Sequence, residues 1–308
     1  MNRKIFILVF FAMIFCSCKN ETHNKNLHLL FPNEKEYKAA VLINNNKISS
    51  LDDFLEENNY IISRSYSSDH YYSILHEAVK LNNKEAVQLL LSKGFNPNVL
   101  SPTCSPLKIA CSVNTNLKTS EEYEDATIVE LLIDYGANPE LGIISSIIYP
   151  DTETDFDQSE QTPLMILSQF PGFIDVRKKI DVLIKKGHAD LNSKSKTGFT
   201  AATASLLDKD SIKNAVYLIC ELHADVNTEF YNNNYDLINE PSKKHSPVEL
   251  LRKICFPLDS EEYKLKLLVI DEFKNQGIDY YSEPVPQNVI DFAKQKYPNS
   301  WETYLEKY

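Results

Sequence analysis

Glycine is scarce in this sequence and tryptophan nearly absent: seven Gly and one Trp among 308 residues. So few glycines argue against a fold built from tight hairpins, where left-handed turn positions recur. Long apolar runs are missing as well. The run from Ile5 to Cys16 is 12 residues, about 18 Å of helix against a hydrocarbon core of roughly 30 Å, so it cannot span a membrane. The patterns that carry chemistry are also lacking: no G-x-S-x-G elbow, P-loop, Rossmann glycine pattern or H-E-x-x-H pair, and no nucleophile beside an evident base. With 32 basic against 43 acidic residues and a net charge of −11, no basic stripe offers a nucleic acid a landing surface.

What the chain does have is a recurring pair of amphipathic helices. In Ile128-Val129-Glu130-Leu131-Leu132-Ile133-Asp134-Tyr135-Gly136-Ala137-Asn138-Pro139, the residues Ile128, Leu131, Leu132 and Tyr135 stand at i, i+3, i+4 and i+7. The spacing predicts that they share one helix face. Gly136 supplies a left-handed stop, and Pro139 prevents the helix from resuming. Starts recur too: Ser105-Pro106-Leu107, Thr162-Pro163-Leu164 and Ser246-Pro247-Val248, with weaker copies at Ser73, Thr200 and Asn288. In each of the first three, a hydroxyl caps orphan N–H groups while proline fills the first turn, where no donor is missed. Thr119 with Glu122 and Ser246 with Glu249 have capping-box spacing. The stops are Gly94, Gly136, Gly277 and, with histidine in the glycine slot, His188 and His223. Histidine is among the side chains tolerated in the left-handed region.

These openings and closings resemble the ankyrin repeat, whose T-P-L-H-x-A start and G-A-D-x-N close flank two antiparallel helices. The resemblance implies an all-α fold, an ankyrin-repeat solenoid of stacked helix pairs with hairpin-like loops. It covers residues 36–308: an N-terminal cap over 36–68, central repeats over 69–284 and a C-terminal cap over 285–308, since inner repeats left at an end would expose their apolar faces. The resemblance also has His76 tie its helix start to the neighbouring hairpin.

Ahead of this body, Arg3 and Lys4, the apolar run and Ser17-Cys18 read as an export signal over residues 1–17. A small residue before Cys18 resembles a bacterial lipoprotein signal, which implies acylation of Cys18 and a tether over 18–35. Two or three acyl chains hold a protein on a membrane stably. Loss of the leader leaves 30 basic against 43 acidic residues, a charge near −13. The expected location is the cell envelope, on the periplasmic face of a bacterial membrane or on the outer membrane.

Two inter-repeat fingers are oversized, residues 141–161 and 228–245, and long loops on a compact scaffold are more often functional or disordered than neutral. Asp151, Glu153, Asp155 and Asp157 alternate in the first, but Phe156 stands where a calcium loop needs glycine. No metal or cofactor is expected. Cys104, Cys111, Cys220 and Cys255 match no zinc or C-x-x-C spacing, and the apolar faces carrying Cys111 and Cys220 suit buried free thiols. The expectation is a monomeric, non-enzymatic protein-binding scaffold whose contacts are Tyr72, Phe199, Phe230, Tyr231 and Tyr235 with Phe156, Asp155 and Asp157. An inhibitor or immunity protein is one specific version. An envelope enzyme or enzyme accessory, with a site assembled across repeats, is the alternative.

Overall fold

The computed structural model describes residues 27–65, 72–101, 104–114, 116–141, 161–232, 237, 238, 240, 242 and 244–308. The helix starts form as their sequences dictate. Ser105 Oγ accepts from the Lys108 N–H at 3.2 Å, Thr162 Oγ1 from Met165 at 3.4 Å and Thr200 Oγ1 from Thr203 at 3.2 Å. Pro106 and Pro163 occupy the first turns. At Ser246 the carboxylate half of the capping box is made, Glu249 Oε1 accepting from the Ser246 N–H at 3.0 Å, while the Ser246 hydroxyl has no partner. The stops are left-handed at the expected positions: φ is +90° at Gly94, +86° at Gly136 and +87° at Gly277, and +57° at both His188 and His223.

The chain divides into two compact units, Met1–Ile148 with Lys178–Ala189 and Tyr149–Arg177 with Asp190–Tyr308. In the first, the helices are α1 (Glu34–Asn44), α2 (Ile48–Glu57), α3 (Tyr60–Arg64), α4 (Ile74–Lys80), α5 (Lys84–Ser92), α6 (Pro106–Ala110), α7 (Ser120–Glu124) and α8 (Thr127–Asp134). A π-helical turn, Val182–Lys186, completes it. Helices α1, α4 and α6 pack in one row, and α2, α5, α8 and the π turn in a second. Between the rows lie Ile43, Leu51, Leu75, Val87, Leu90, Leu107, Leu132 and Leu183, all buried.

The stripe expected on α8 is rotated. Ile128, Val129, Leu132 and Ile133 are buried, Leu131 is half-buried and Tyr135 is 43% exposed. The reason is that α8 is flanked on three sides, by α5, α6 and the π turn, so its covered face is wider than one seam. Tyr135 lies beyond the last helical residue as the C-cap and turns outward. The capping box of Thr119 and Glu122 belongs to a separate short helix, α7. Asp125 then starts α8, accepting from the Thr127 N–H at 2.9 Å and pairing with Lys84.

In the second unit, α9 (Pro163–Ser168) packs on α11 (Ala201–Ser205). Helix α12 (Ile212–Ala215) runs into a second π-helical turn, Val216–Glu221, and both pack on α14 (Glu261–Asn275). Helix α13 (Pro247–Lys253) precedes α14, and α15 (Gln287–Lys296) packs on α16 (Trp301–Lys307). Arg177 opens α10 (Arg177–Asp181), the rest of which is counted with the first unit. Tyrosines anchor the end of the chain: Tyr304 donates to Phe256 O at 3.0 Å and Tyr263 to Lys307 O at 2.6 Å. Among the described residues the only β pairing is the antiparallel bridge between Phe230 and His245.

Candidate functional site

His76 shows how a finger is fixed to a helix start. Its Nδ1 accepts from the Ser73 N–H at 3.0 Å, which places the ring proton on Nε2, 3.1 Å from Cys104 O. One imidazole thereby closes the cap of α4 and holds the finger ahead of α6. Burial pushes its pKa down to about 4, although hydrogen bonds to Cys104 and Val99 oppose that shift. Tyr72 belongs to the same cluster. Its ring stacks on His76 at 5.2 Å and its hydroxyl donates to Glu77 Oε2 at 3.1 Å. Burial, then the Glu77 carboxylate, hold the Tyr72 phenol well above its ordinary range.

Side-chain clips fasten successive turns. In the first unit Asn98 donates to Gly136 O at 2.8 Å and accepts from the Asn138 N–H at 2.7 Å, while Asn96 Nδ2 donates to Ser65 O at 3.2 Å and Ser65 Oγ accepts from the Asn96 N–H at 3.0 Å. In the second, Asn192 Oδ1 accepts from the Asp225 N–H at 2.8 Å, and Gln276 bridges Ala224 O and the Val226 N–H at 3.0 and 3.2 Å. The finger around Gly198 stacks on the next so closely that a Cβ there would lie 2.5 Å from Glu229 O. Tyr231 N–H donates across this contact to Thr197 O at 2.8 Å. Each clip satisfies backbone groups of a neighbouring turn, so the turns are fixed in position before any partner arrives.

The residues expected to make contacts have different fates. Phe199 and Phe230 are interior, 4% and 0% exposed, packed edge to face at 4.6 Å. They are finger stems, because stacked fingers bury an aromatic between them, and they offer no outer surface. Tyr72 is half-buried and committed to His76 and Glu77. Tyr231 is half-exposed, with Lys244 Nζ 6.0 Å from its ring centre. Tyr235, Asp155, Phe156, Asp157 and Cys18 lie outside the described residues.

Other surface features escaped the sequence reading. Phe173, Ile238 and Tyr281 are exposed, as are Leu267 and Leu268 of α14. An open cleft of about 390 Å³ in the second unit has Leu206, Leu250 and Phe292 in its wall and Lys209 and Lys253 beside them. Lys266 is fully buried in the α14 stripe between Tyr263 and Ile270, where the periodicity itself marks it. Its Nζ donates to Ile254 O at 2.8 Å and sits 3.6 Å from the Tyr308 ring centre. Burial lowers its pKa to about 6, Arg252 adding to the effect and Cys255 opposing it.

Cys104, Cys111, Cys220 and Cys255 are free thiols, and burial pushes that of Cys111 up to about 12. Among the described residues no group of His, Cys, Asp and Glu could hold a metal ion, and no helix is long and apolar enough to cross a membrane.

Residues 70–102 match the family model for the ankyrin repeat. No curated protein sequence matches the chain. Among solved structures, the ankyrin repeat domain of Bcl-3, a member of the IkappaB protein family, is 15% identical. It aligns at a TM-score of 0.50 over 78% of this chain and 86% of its own. An ankyrin repeat domain from Acinetobacter baumannii AYE is 16% identical at a TM-score of 0.51, over 77% of this chain and 98% of its own. Identities this low speak for the fold alone. With capped helix pairs, left-handed stops and clipped fingers already in view, the matched repeat identifies the architecture as that of an ankyrin-repeat domain.

Proposed function

We propose that this chain is a membrane-anchored scaffold that binds another protein through its fingers and the face of its first helices. The observation that carries this reading is the series of clips made by Asn96, Asn98, Asn192 and Gln276, which holds the turns in place by side-chain hydrogen bonds. A surface ordered in advance loses less conformational entropy on association, so polar loop contacts can yield net affinity. The anchor is the acylated Cys18 that the leader sequence implies, and the location is the bacterial cell envelope. Tyr231, half-exposed on the finger over 228–245, is the contact among the described residues, with Tyr235 on the same finger and Asp155, Phe156 and Asp157 on the finger over 141–161. A charge near −13 once the leader is removed favours a basic target, which suits an inhibitor or immunity protein.

The test is capture from envelope extract by the soluble form that begins after Cys18, compared with a variant lacking residues 149–160 and with Tyr231→Ala. Both changes should leave the helical circular dichroism intact and weaken capture of one specific protein at least tenfold. Undiminished capture by both would remove the fingers from the reading.

A further inference from the structure

The N-terminal edge of the first unit carries an apolar patch that the repeat architecture does not use. Residues 27–30 form a helical turn, closed by Phe31 N–H donating to Leu27 O at 2.9 Å. Leu27 and Phe31, one turn apart, are buried, with Phe31 5.8 Å from the Tyr72 ring. The opposite side of the turn is left in water: Leu29 is 81% exposed and Leu30 38%. Pro32 and Tyr60 extend the patch. Tyr60 is fixed there by donating to Asn33 Oδ1 at 3.0 Å, and Lys35 Nζ lies 5.3 Å from its ring centre. Two leucines, a tyrosine with its hydroxyl engaged and a lysine on a flexible stem match the make-up of a membrane-water interface, where aromatic rings and snorkelling lysines sit at headgroup level.

The length of chain before the patch decides what can cover it. Only residues 19–26 separate Cys18 from Leu27, and none of the eight has an apolar side chain. They cannot replace water over Leu29 and Leu30. Fully extended, eight residues reach about 27 Å. An acylated Cys18 therefore keeps this edge within one tether length of the lipid. At that range a contact too weak to recruit a free protein is intramolecular and is made most of the time.

We propose that the edge formed by Leu29, Leu30, Pro32 and Tyr60 rests in the interfacial layer of the bilayer that anchors the chain, apolar side chains inward and Lys35 at headgroup level. This rests on the lipid anchor proposed above. The contact is with zwitterionic lipid, since a chain of net charge near −13 gains nothing from anionic headgroups. It fixes the first unit with its N-terminal edge down, and α4, α6 and their fingers follow away from the membrane surface.

The full chain, with Trp301→Phe to remove the native indole, is reconstituted in phosphatidylcholine vesicles containing brominated phosphatidylcholine. Leu29→Trp is compared with Tyr135→Trp, an exposed position two helix pairs along the same unit. The Leu29→Trp indole should be quenched at least twice as strongly and emit further to the blue, and adding Leu30→Glu should abolish the difference. Equal quenching in protein that floats with the vesicles overturns the proposal. If the chain does not float, or floats equally well as Cys18→Ser, the anchor reading fails. The comparison is then repeated with a hexahistidine segment before Lys19 on vesicles containing nickel-chelating lipid, where the same difference supports the edge contact and its absence overturns it. A vesicle-free dimer that Leu29→Glu with Leu30→Glu converts to monomer would make this edge an interface between copies and also overturn the proposal.

Discussion

His76 is neutral in the fold because its Nδ1 must accept from Ser73 and because no water reaches the ring. Its folded pKa of about 4 lies below the ordinary imidazole value of 6.5. Between those values the unfolded chain binds the extra proton and the folded chain does not. Stability is thus fully present above pH 6.5, falls as pH drops towards 4, and levels off below. The loss is on the order of 3 kcal/mol. Urea melts at pH 7, 5.5 and 4.5 should show it, and His76→Gln should flatten this part of the profile. Lys266 works in a higher window. Its folded value of about 6 against 10.5 means that the unfolded chain holds more protons across that range, so stability rises with pH. Lys266→Met should remove the slope and stabilise the protein by roughly 1–3 kcal/mol at pH 7, because Ile254 O keeps the Tyr308 hydroxyl as a donor at 3.1 Å. A destabilised Lys266→Met would show that the lysine contributes more through Ile254 O and the Tyr308 ring than its burial costs. Lys266 was legible as a polar intruder in an apolar stripe. Phe199 and Phe230 were not legible as core, because an aromatic in a loop has no periodicity to show which way it faces.

Helix ends were the most readable elements. Gly136 and the histidines at 188 and 223 were expected to be left-handed from their place after an apolar stripe, and all three are. What could not be read was the interior of the second helices. Val182–Lys186 and Val216–Glu221 are π-helical, and the apolar stripe passes through them without a signal. The left-handed positions give a graded prediction. Gly136→Ala meets no atom within 4 Å and should cost only the left-handed penalty, about 1–2 kcal/mol. Gly198→Ala adds a contact of 2.5 Å with Glu229 O and should cost clearly more. His188→Gly, which relieves strain at φ +57°, should raise stability by about 1 kcal/mol. Thermal melts of the three variants give the order, and equal losses for the two glycine variants would contradict the close stacking of fingers.

At the scale of the whole chain, the repeat spacing was legible because every unit must present the same cap, stripe and stop to bury its neighbour. The binding surface was legible only as finger length, since a contact face obeys no local rule that the chain must satisfy in order to fold. Where a partner lands therefore decides which surface functions. Hydrogen exchange of the soluble form, alone and in complex with the captured protein, tests this most directly. Protection is predicted at the turn amides of residues 96–101, 137–141, 190–199 and 225–232 and along the first helices α4, α6 and α11. Protection confined to the second helices, around α5, α8 and the exposed Leu267 and Leu268 of α14, would contradict it.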